Sequence, residues 1–226
     1  MRAKNGRGWR IPAVVLIHAL EIGWAAWYMY GLKAKGKLLG VARASDDPLA
    51  LLGQNLVESL VPLLLFLLFL FLLKKDFPDA MYLRLRGKWQ RVAAAVLALA
   101  IAGITARCLA VKQDRFTILY NLFYYLVIIA FFEEFVTIGV CAYLLRDEDW
   151  PIRYLVPNLC FALIHLFSHA GFGAITLPYL MQFLFTEVLG LAVTGCLMQL
   201  LKEKSGTLWL PVLLHALMDF SVVLRY

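Results

Sequence analysis

Two adjacent glutamates, Glu133 and Glu134, lie in the middle of a long apolar segment of this chain. The segment, NLFYYLVIIAFFEEFVTIGVCAYLLR, runs from Asn121 to Arg146. A charged side chain at the centre of a lipid bilayer costs about 3 kcal/mol or more, so such residues usually face a bundle interior and mark a functional site. Adjacent residues of an α-helix point about 100° apart. We therefore expect an active site within the membrane in which the two carboxylates have different roles.

Two pairs of residues further along the chain are candidates to share a site with these glutamates. Phe161 and His165 are four residues apart, as are His215 and Asp219, and each pair therefore shares one face of a helix. Counted at about 1.5 Å per residue from the expected cytoplasmic helix ends, Glu133, His165 and Asp219 all lie about 18–20 Å deep. His215 lies one turn shallower. Carboxyl and imidazole groups at a common depth predict a shared site for acid–base chemistry.

Other polar residues in the apolar segments have structural explanations. His18 and Glu21 are three residues apart, which predicts a stabilising pair on one helix face. Glu58 begins an apolar segment, and its side chain is expected to reach the membrane interface. Asn158 and His169 lie nearer the ends of the segment that carries His165, and we expect His169 to be interfacial.

The composition is that of a polytopic membrane protein. Of the 226 residues, 62% are hydrophobic and the mean hydropathy is +0.76, whereas a soluble domain has about 45–50% apolar residues. A bilayer crossing takes about 20 apolar residues. The segments that cross or nearly cross are Ile11–Leu32, Leu56–Leu73, Trp89–Ala110, Phe116–Leu145, Tyr154–Phe167, Ile175–Leu201 and Leu208–Leu224. The predicted fold is an all-α transmembrane bundle of about seven spans.

The charged residues lie mainly between these segments. The net charge of +7 does not indicate nucleic acid, because Lys and Arg in such loops orient the spans and contact anionic lipids. Lys and Arg are more numerous on the side of the N-terminus, which predicts a cytoplasmic N-terminus in the cell membrane. That side includes Arg2, Lys4, Arg7, Lys202 and Lys204. The stretch from Asp46 to Ser59 is predicted to form a short amphipathic helix on the outer surface.

Three motifs in this order resemble those of a known family. The EE pair at 133–134, FxxxH ending at His165 and HxxxD beginning at His215 are similar to motifs of the CAAX-processing and bacteriocin-processing (CPBP, or Abi) family of intramembrane glutamic endopeptidases. The sequence SGTLWLP before His215 and the glycines Gly190 and Gly195 add to the resemblance. Each motif alone is weak, but three in order at matching spacings are specific. The resemblance covers residues 116–223, about half the chain.

The resemblance implies a four-helix catalytic core over residues 116–226, with peripheral transmembrane helices and loops over 1–115. It implies a peptidase without a cofactor or covalent intermediate, acting on a membrane-associated peptide or lipidated protein. Glu133, helped by His165, would activate a water molecule; His215 and Asp219 would donate hydrogen bonds to the oxyanion, and Glu134 would tune the site. CAAX-type cleavage and processing of other peptides both occur in the family, and the sequence does not choose between them.

One residue departs from the family pattern. The family has Arg where this chain has Ile138, on the same helix face as Glu134. Glu134 must therefore be protonated, meet water or find a hydrogen-bond donor on another helix. Asp219 replaces the commoner Asn, and it can donate only when protonated. The alternative function is a catalytically impaired family member that acts as a membrane peptide-binding, immunity or scaffold protein.

Other chemistries fit less well. The chain has no HExxH, no GxSG serine in an apolar segment and no pair of intramembrane aspartates. Its four cysteines form no CxxC motif, so neither disulfides nor a structural zinc site are expected. One carboxylate and two imidazoles suit zinc, which leaves a metal at Glu133, His165 and His215 as a second alternative. A bundle held together by His–Glu hydrogen bonds is the structural alternative. The chain has no internal repeat of the kind that marks a transporter.

Overall fold

The structure, a computed structural model, describes residues 8–40, 46–111, 114–171 and 173–223. These residues form helices and no strand, which confirms the all-α prediction. The helices are α1 (Arg10–Ala34), α2 (Pro48–Glu58), α3 (Leu60–Leu73), α4 (Phe77–Ala80), α5 (Lys88–Val111), α6 (Arg115–Leu144), α7 (Trp150–His169), α8 (Leu177–Ser205) and α9 (Trp209–Val223). Arg2, Lys4 and Arg7, on which the predicted orientation partly depends, lie outside the described residues.

The number of membrane-crossing helices agrees roughly with the prediction. Five helices, α1 and α5 to α8, are long and apolar enough to cross a membrane. The segments Pro48–Glu58 and Leu60–Ala80 meet at a bend of 63° and form a sixth candidate if they are counted as one span. The last predicted segment forms α9, a shorter apolar helix. Each of the seven apolar segments therefore corresponds to a helix or a bent helix pair.

Helix α6 is the centre of the bundle. In its most apolar window 67% of the residues are buried, whereas the other four long helices have between 17% and 28%. The large side chains of Phe135, Ile138 and Val140 are fully buried. The other helices pack around α6, with α7 between α1 and α8, and α9 against α5 and α6. A charged residue near the middle of α6, such as Glu133 or Glu134, is therefore held inside protein.

Asn158 holds α7 against α8 and does not reach the predicted site. Its side-chain amide nitrogen donates to the carbonyl of Tyr154 at 2.7 Å and to Oε1 of Gln199, on α8, at 3.0 Å. Gly195 of α8 lies so close to Asn158 that a Cβ atom there would collide with it. A glycine at this position lets the two helices approach.

The segment predicted as an amphipathic surface helix is α2, and it packs onto α6. The Asp47 side chain caps its first turn by accepting from the Ala50 N–H at 3.1 Å. The Asn55 side chain donates to the Tyr120 hydroxyl at 3.0 Å and is buried. A polar contact of this kind fixes the depth at which α2 meets the bundle.

Lys202 was expected among the charges of a cytoplasmic loop, and the structure corrects this. It lies inside α8 and is only 4% exposed. Counting charges assigns every Lys near the end of a span to the neighbouring loop. In the structure α8 continues past Lys202, and its last turn directs the Lys202 side chain into the bundle. Lys204, two residues later, is exposed.

Candidate active site

The two glutamates lie on a short α-helical turn between two π-helical segments of α6. The turn is Phe132–Glu134, and the π segments are Tyr124–Phe131 and Phe135–Cys141. π geometry widens a helix and frequently occurs at functional sites. Glu134 is buried and Glu133 is partly exposed. Glu134 hydrogen-bonds to Nδ1 of His215 at 2.8 Å, whereas Oε2 of Glu133 lies 3.8 Å from Nε2 of the same ring and 3.8 Å from Nε2 of His165.

His165 is fixed by the turn of α7 that precedes it. Its Nδ1 lies 3.0 Å from the carbonyl oxygen of Phe161, and its ring meets the edge of the Phe161 ring at 4.7 Å between centroids. A carbonyl oxygen only accepts, so Nδ1 carries the proton of this hydrogen bond. In the neutral ring Nε2 then has a free lone pair. That nitrogen lies 3.8 Å from Oε2 of Glu133.

His215 is fixed by a carboxylate instead of a carbonyl. Its Nδ1 lies 2.8 Å from Oε1 of Glu134, a hydrogen bond between α9 and α6. Its Nε2 lies 3.3 Å from Oδ2 of Asp219, one turn further along α9, and 3.8 Å from Oε2 of Glu133. Each imidazole is thus held through Nδ1 and presents Nε2 to Glu133.

Glu133 is the unsatisfied member of this group. Its Oε2 atom is buried and has no hydrogen-bond partner among the described residues. The two distances of 3.8 Å to imidazole nitrogens exceed hydrogen-bonding range. Polar groups at such separations are commonly bridged by water. One oxygen therefore lies close to two imidazoles without bonding to either, and a water molecule beside the three atoms could hydrogen-bond to them.

A cavity of about 630 Å³ opens onto these groups. All five residues singled out from the sequence line it: Glu133, Glu134, His165, His215 and Asp219. Much of the remaining wall is aromatic or aliphatic, including Tyr124, Phe132, Phe161 and Ile164. An apolar chamber with a few convergent polar groups is the usual form of a site that binds an organic ligand.

Two carboxylates from the N-terminal helices also line this cavity, and the sequence reasoning missed both. Glu21 comes from α1 and Glu58 from the end of α2. Glu58 was expected to reach the membrane interface, but the bend between α2 and α3 turns its position towards the cavity. No local motif could have revealed either residue, because their approach depends on how α1 and α2 pack.

The pairing of His18 with Glu21 agrees with the sequence prediction. His18 Nδ1 lies 3.2 Å from Oε2 of Glu21, and its Nε2 lies 3.7 Å from Sγ of Cys141 on α6. His18 and Cys141 are buried, and neither lines the cavity. This group joins α1 to α6 and fixes one wall of the cavity.

His169 lies at the rim of the cavity and contacts a second long helix. Its Nδ1 is 3.8 Å from Oε2 of Glu187 on α8, and both side chains are more than one-third exposed. Its ring centroid is 5.5 Å from that of His165. The interfacial position expected for His169 stays a prediction.

Glu134 finds its hydrogen-bond donor on another helix. This is one of the three possibilities expected because the chain has Ile138 where the family has Arg. His215 of α9 supplies it at 2.8 Å. The Ile138 side chain is fully buried in the apolar core, so α6 offers no cation on this face. The contact ties the second glutamate to an imidazole of the site.

Metal ligation was the alternative for the carboxylate and two imidazoles. Within the described ranges, no three His, Cys, Asp or Glu side chains are arranged to hold a metal ion. The observed arrangement is one of hydrogen bonds and near contacts among Glu133, Glu134, His165, His215 and Asp219.

Comparison with known proteins finds one family. Residues 115–221 match the family model described as Rce1-like, type II CAAX prenyl endopeptidase Rce1-like. The matched range contains all five residues of the site named above and excludes α1 to α5, with Glu21 and Glu58. No curated protein and no solved structure matches the chain. The family and the apolar helices together indicate a multi-pass membrane protein.

Proposed function

Because residues 115–221 match the family model of the Rce1-like type II CAAX prenyl endopeptidases, we propose that this chain is an intramembrane endopeptidase of the glutamic type. Its substrate would be a membrane-associated peptide or lipidated protein. The observation that carries the proposal is the position of Glu133 Oε2, buried, without a hydrogen-bond partner in the described chain and 3.8 Å from Nε2 of each imidazole.

In the proposed reaction Glu133 is the general base. Its carboxylate takes a proton from a water molecule while the water oxygen attacks the scissile carbonyl carbon. The carbonyl electrons move to oxygen and form the oxyanion. When the C–N bond breaks, Glu133 returns the proton to the leaving amine, so no covalent enzyme intermediate forms.

The two imidazoles have different proposed roles because different groups hold them. His165 donates from Nδ1 to a neutral backbone carbonyl, so its Nε2 can accept a hydrogen bond from the attacking water. His215 donates from Nδ1 to Glu134, and in its imidazolium form it can also donate from Nε2 to the oxyanion. Asp219, 3.3 Å from that Nε2, orients the ring. Glu134 holds His215 in place.

The remaining assignments follow from the sequence and extend this proposal. Residues 116–226 would form the catalytic core, and residues 1–115 would supply the peripheral helices and the outer walls of the cavity. We place the protein in the cell membrane with a cytoplasmic N-terminus, because Lys and Arg are concentrated on that side. Membrane lipids and the peptide substrate would be its partners.

The test is cleavage by Glu133→Gln protein. Wild-type and variant proteins in lipid nanodiscs are incubated with a farnesylated reporter peptide ending in a CAAX sequence, and products are identified by mass spectrometry. Gln keeps the shape of the side chain but cannot accept a proton as a carboxylate does. We expect the turnover rate to fall about 10²- to 10⁴-fold.

Asp76→Asn is the matched control, because Asp76 is an exposed carboxylate in the turn after α3 and lies outside the cavity. It should cleave as the wild type does. If Glu133→Gln also cleaves at the wild-type rate, Glu133 is not the base and the proposal is wrong. If neither the wild-type protein nor Glu133→Gln cleaves any membrane peptide but both bind the reporter equally, the chain is the binding or scaffold protein of the alternative function.

A further inference from the structure

Lys202 is a buried charge that the proposed reaction does not use. It lies on α8, is 4% exposed, and among the described residues no carboxylate forms an ion pair with it. Lysines are rarely buried this completely unless they are paired, because removing an ammonium group from water is costly. The two contacts that the ammonium makes must therefore explain its position.

The first contact is a hydrogen bond to the backbone of the helix that carries the glutamates. The Lys202 ammonium donates to the carbonyl oxygen of Ile138, which lies in the π segment Phe135–Cys141. This segment follows the Glu133–Glu134 turn directly. Lys202 is thus attached to the backbone of α6 one turn beyond the proposed base.

The geometry of a π segment explains why an external donor is needed there. In π geometry the carbonyl of residue i accepts from the N–H of residue i+5, and in α geometry from that of i+4. Where α geometry resumes at Ala142, the Ala142 N–H is directed to the carbonyls of Thr137 and Gly139, and the carbonyl of Ile138 between them is not one of its acceptors. The carbonyl of Ile138 therefore gains from a donor outside the helix, because a buried carbonyl without a donor is costly.

The second contact is with an aromatic ring held in an unusual backbone conformation. The Lys202 ammonium lies 4.9 Å from the centroid of the Tyr82 ring, within the range of a cation–π contact. Tyr82 has φ = +56°, which few residues other than glycine adopt. Its carbonyl accepts from the N–H of Leu208 at 2.8 Å, just before α9 begins. Lys202 therefore joins α6, α8 and the loop beside α9.

We propose that Lys202 is a positioning residue that keeps α6 in the register needed by Glu133 and Glu134. Its ammonium supplies a donor to the carbonyl of Ile138, which the Ala142 N–H does not contact, and so stabilises the end of the π segment. A shift of one residue in this register rotates the glutamates by about 100° away from the imidazoles. The expected loss of turnover in a Lys202 variant rests on the proposed function. The structural role of Lys202 in holding the π segment rests on its contacts alone.

The test uses Lys202→Met, which keeps the length of the side chain and removes the ammonium group. We expect the turnover rate on the farnesylated reporter to fall about tenfold to a hundredfold, because small displacements of catalytic groups have effects of this size. KM should stay within about twofold of the wild type, because substrate binding by the apolar walls is unchanged. Lys204→Met, an exposed lysine of the same helix, should match the wild type in both values.

Hydrogen exchange measures the structural part without any activity. In Lys202→Met the backbone amides of residues 135–142 should exchange faster than in the wild type, while those of α1 should not. If exchange of that segment and the turnover rate both match the wild type, Lys202 does not hold the register and the inference is wrong. If the wild type turns over the reporter no faster than Glu133→Gln, the proposed function is wrong. The hydrogen-exchange result then still tests the structural role of Lys202.

A second pair of variants decides the question if Lys202→Met does not fold. Tyr82→Leu removes the ring that contacts the ammonium, whereas Tyr82→Phe keeps it, and Tyr82 is exposed enough to tolerate either. Tyr82→Leu should reduce turnover about threefold, the size of a cation–π contact near the surface, and Tyr82→Phe should not. Equal turnover in both variants and the wild type contradicts the inference.

Discussion

Two groups of Glu and His side chains lie inside this bundle, and they differ in whether their polar atoms have partners. The His18 cluster consists of His18, Glu21 and Cys141, and both nitrogens of its imidazole face a protein atom, at 3.2 and 3.7 Å. The Glu133 cluster consists of Glu133, Glu134, His165, His215 and Asp219. There Oε2 of Glu133 has no partner in the described part of the chain and lies 3.8 Å from two imidazoles.

The difference shows which buried polar groups are candidates for chemistry. Most buried polar atoms in proteins are hydrogen-bonded, and an exception calls for an explanation such as catalysis or bound water. In the His18 cluster the bond to Glu21 lies within α1, and the contact of His18 with Cys141 joins α1 to α6. In the Glu133 cluster His215 Nδ1 joins α9 to α6 and His165 Nδ1 bonds within α7, whereas His165 Nε2 and Glu133 Oε2 remain directed at a cavity. Burial of the side chains alone would not have distinguished the two clusters as candidate active sites.

The largest effect after loss of the base is expected from His215→Asn. This change removes the donor to Glu134 and the nitrogen that would face the oxyanion. Loss of one oxyanion donor reduces turnover about 10²- to 10³-fold, and we expect a loss of that size in reporter cleavage. A loss below about tenfold would mean that His215 only packs α9 against α6.

His165→Asn should have the next largest effect. The ring that accepts from the attacking water is lost, whereas Glu133 remains able to take the proton. We expect turnover to fall about 10²-fold, at the lower end for acid–base groups, with KM nearly unchanged. The steady-state rates of cleavage over a range of reporter concentrations separate the two values. A raised KM with normal turnover would instead make His165 a substrate-binding residue.

Glu134→Gln should have a smaller effect on catalysis. A Gln oxygen can still accept from His215 Nδ1, so the ring keeps its position and loses only the charge of its partner. We expect about a tenfold fall in turnover, since hydrogen bonds to charged groups are worth about 1.5–3 kcal/mol and neutral ones about half as much. Glu134→Ala, measured in the same assay, should approach the loss seen for His215→Asn. Equal activities of the Gln and Ala variants would contradict the proposed anchoring role.

The smallest catalytic effect is expected in the His18 cluster. His18→Leu leaves the buried Glu21 carboxylate without its donor, which should lower the free energy of unfolding by about 1–3 kcal/mol. Turnover of the folded protein should stay within about threefold of the wild type. The double variant with Glu21→Gln should recover part of the lost stability, because both partners then change. Thermal unfolding in detergent measures the stability, and a hundredfold loss of turnover would place His18 in the site.

Local spacing was sufficient to predict much of the Glu133 cluster. A four-residue spacing places Phe161 and His165 on one face, and in the structure the carbonyl of Phe161 accepts from the His165 ring. The same spacing brings Asp219 to 3.3 Å from His215. The prediction that the two glutamates differ in role matches their contacts, since Glu134 is hydrogen-bonded to His215 Nδ1 and Glu133 Oε2 has no partner in the described part of the chain. These features depend on helix geometry, which the pattern of residues reveals directly.

The features that the sequence did not reveal depend on packing between distant segments. Glu58 reaches the cavity because α2 and α3 meet at 63°, an angle that no local motif predicts. The π geometry of α6 depends on which N–H pairs with which carbonyl in the folded bundle. Lys202 resembled a loop charge in sequence, and only the rotation of the last turn of α8 places it on the carbonyl of Ile138.

The central claim is that Glu133 and the two imidazoles share one water molecule. An experimental structure of the wild-type protein in lipid, at a resolution that shows ordered solvent, tests it directly. The account predicts a water within hydrogen-bonding distance of Glu133 Oε2 and of Nε2 of His165 or His215. A Glu133 carboxylate turned towards the acyl chains, or hydrogen-bonded to a neighbouring helix with no solvent beside it, would contradict the account.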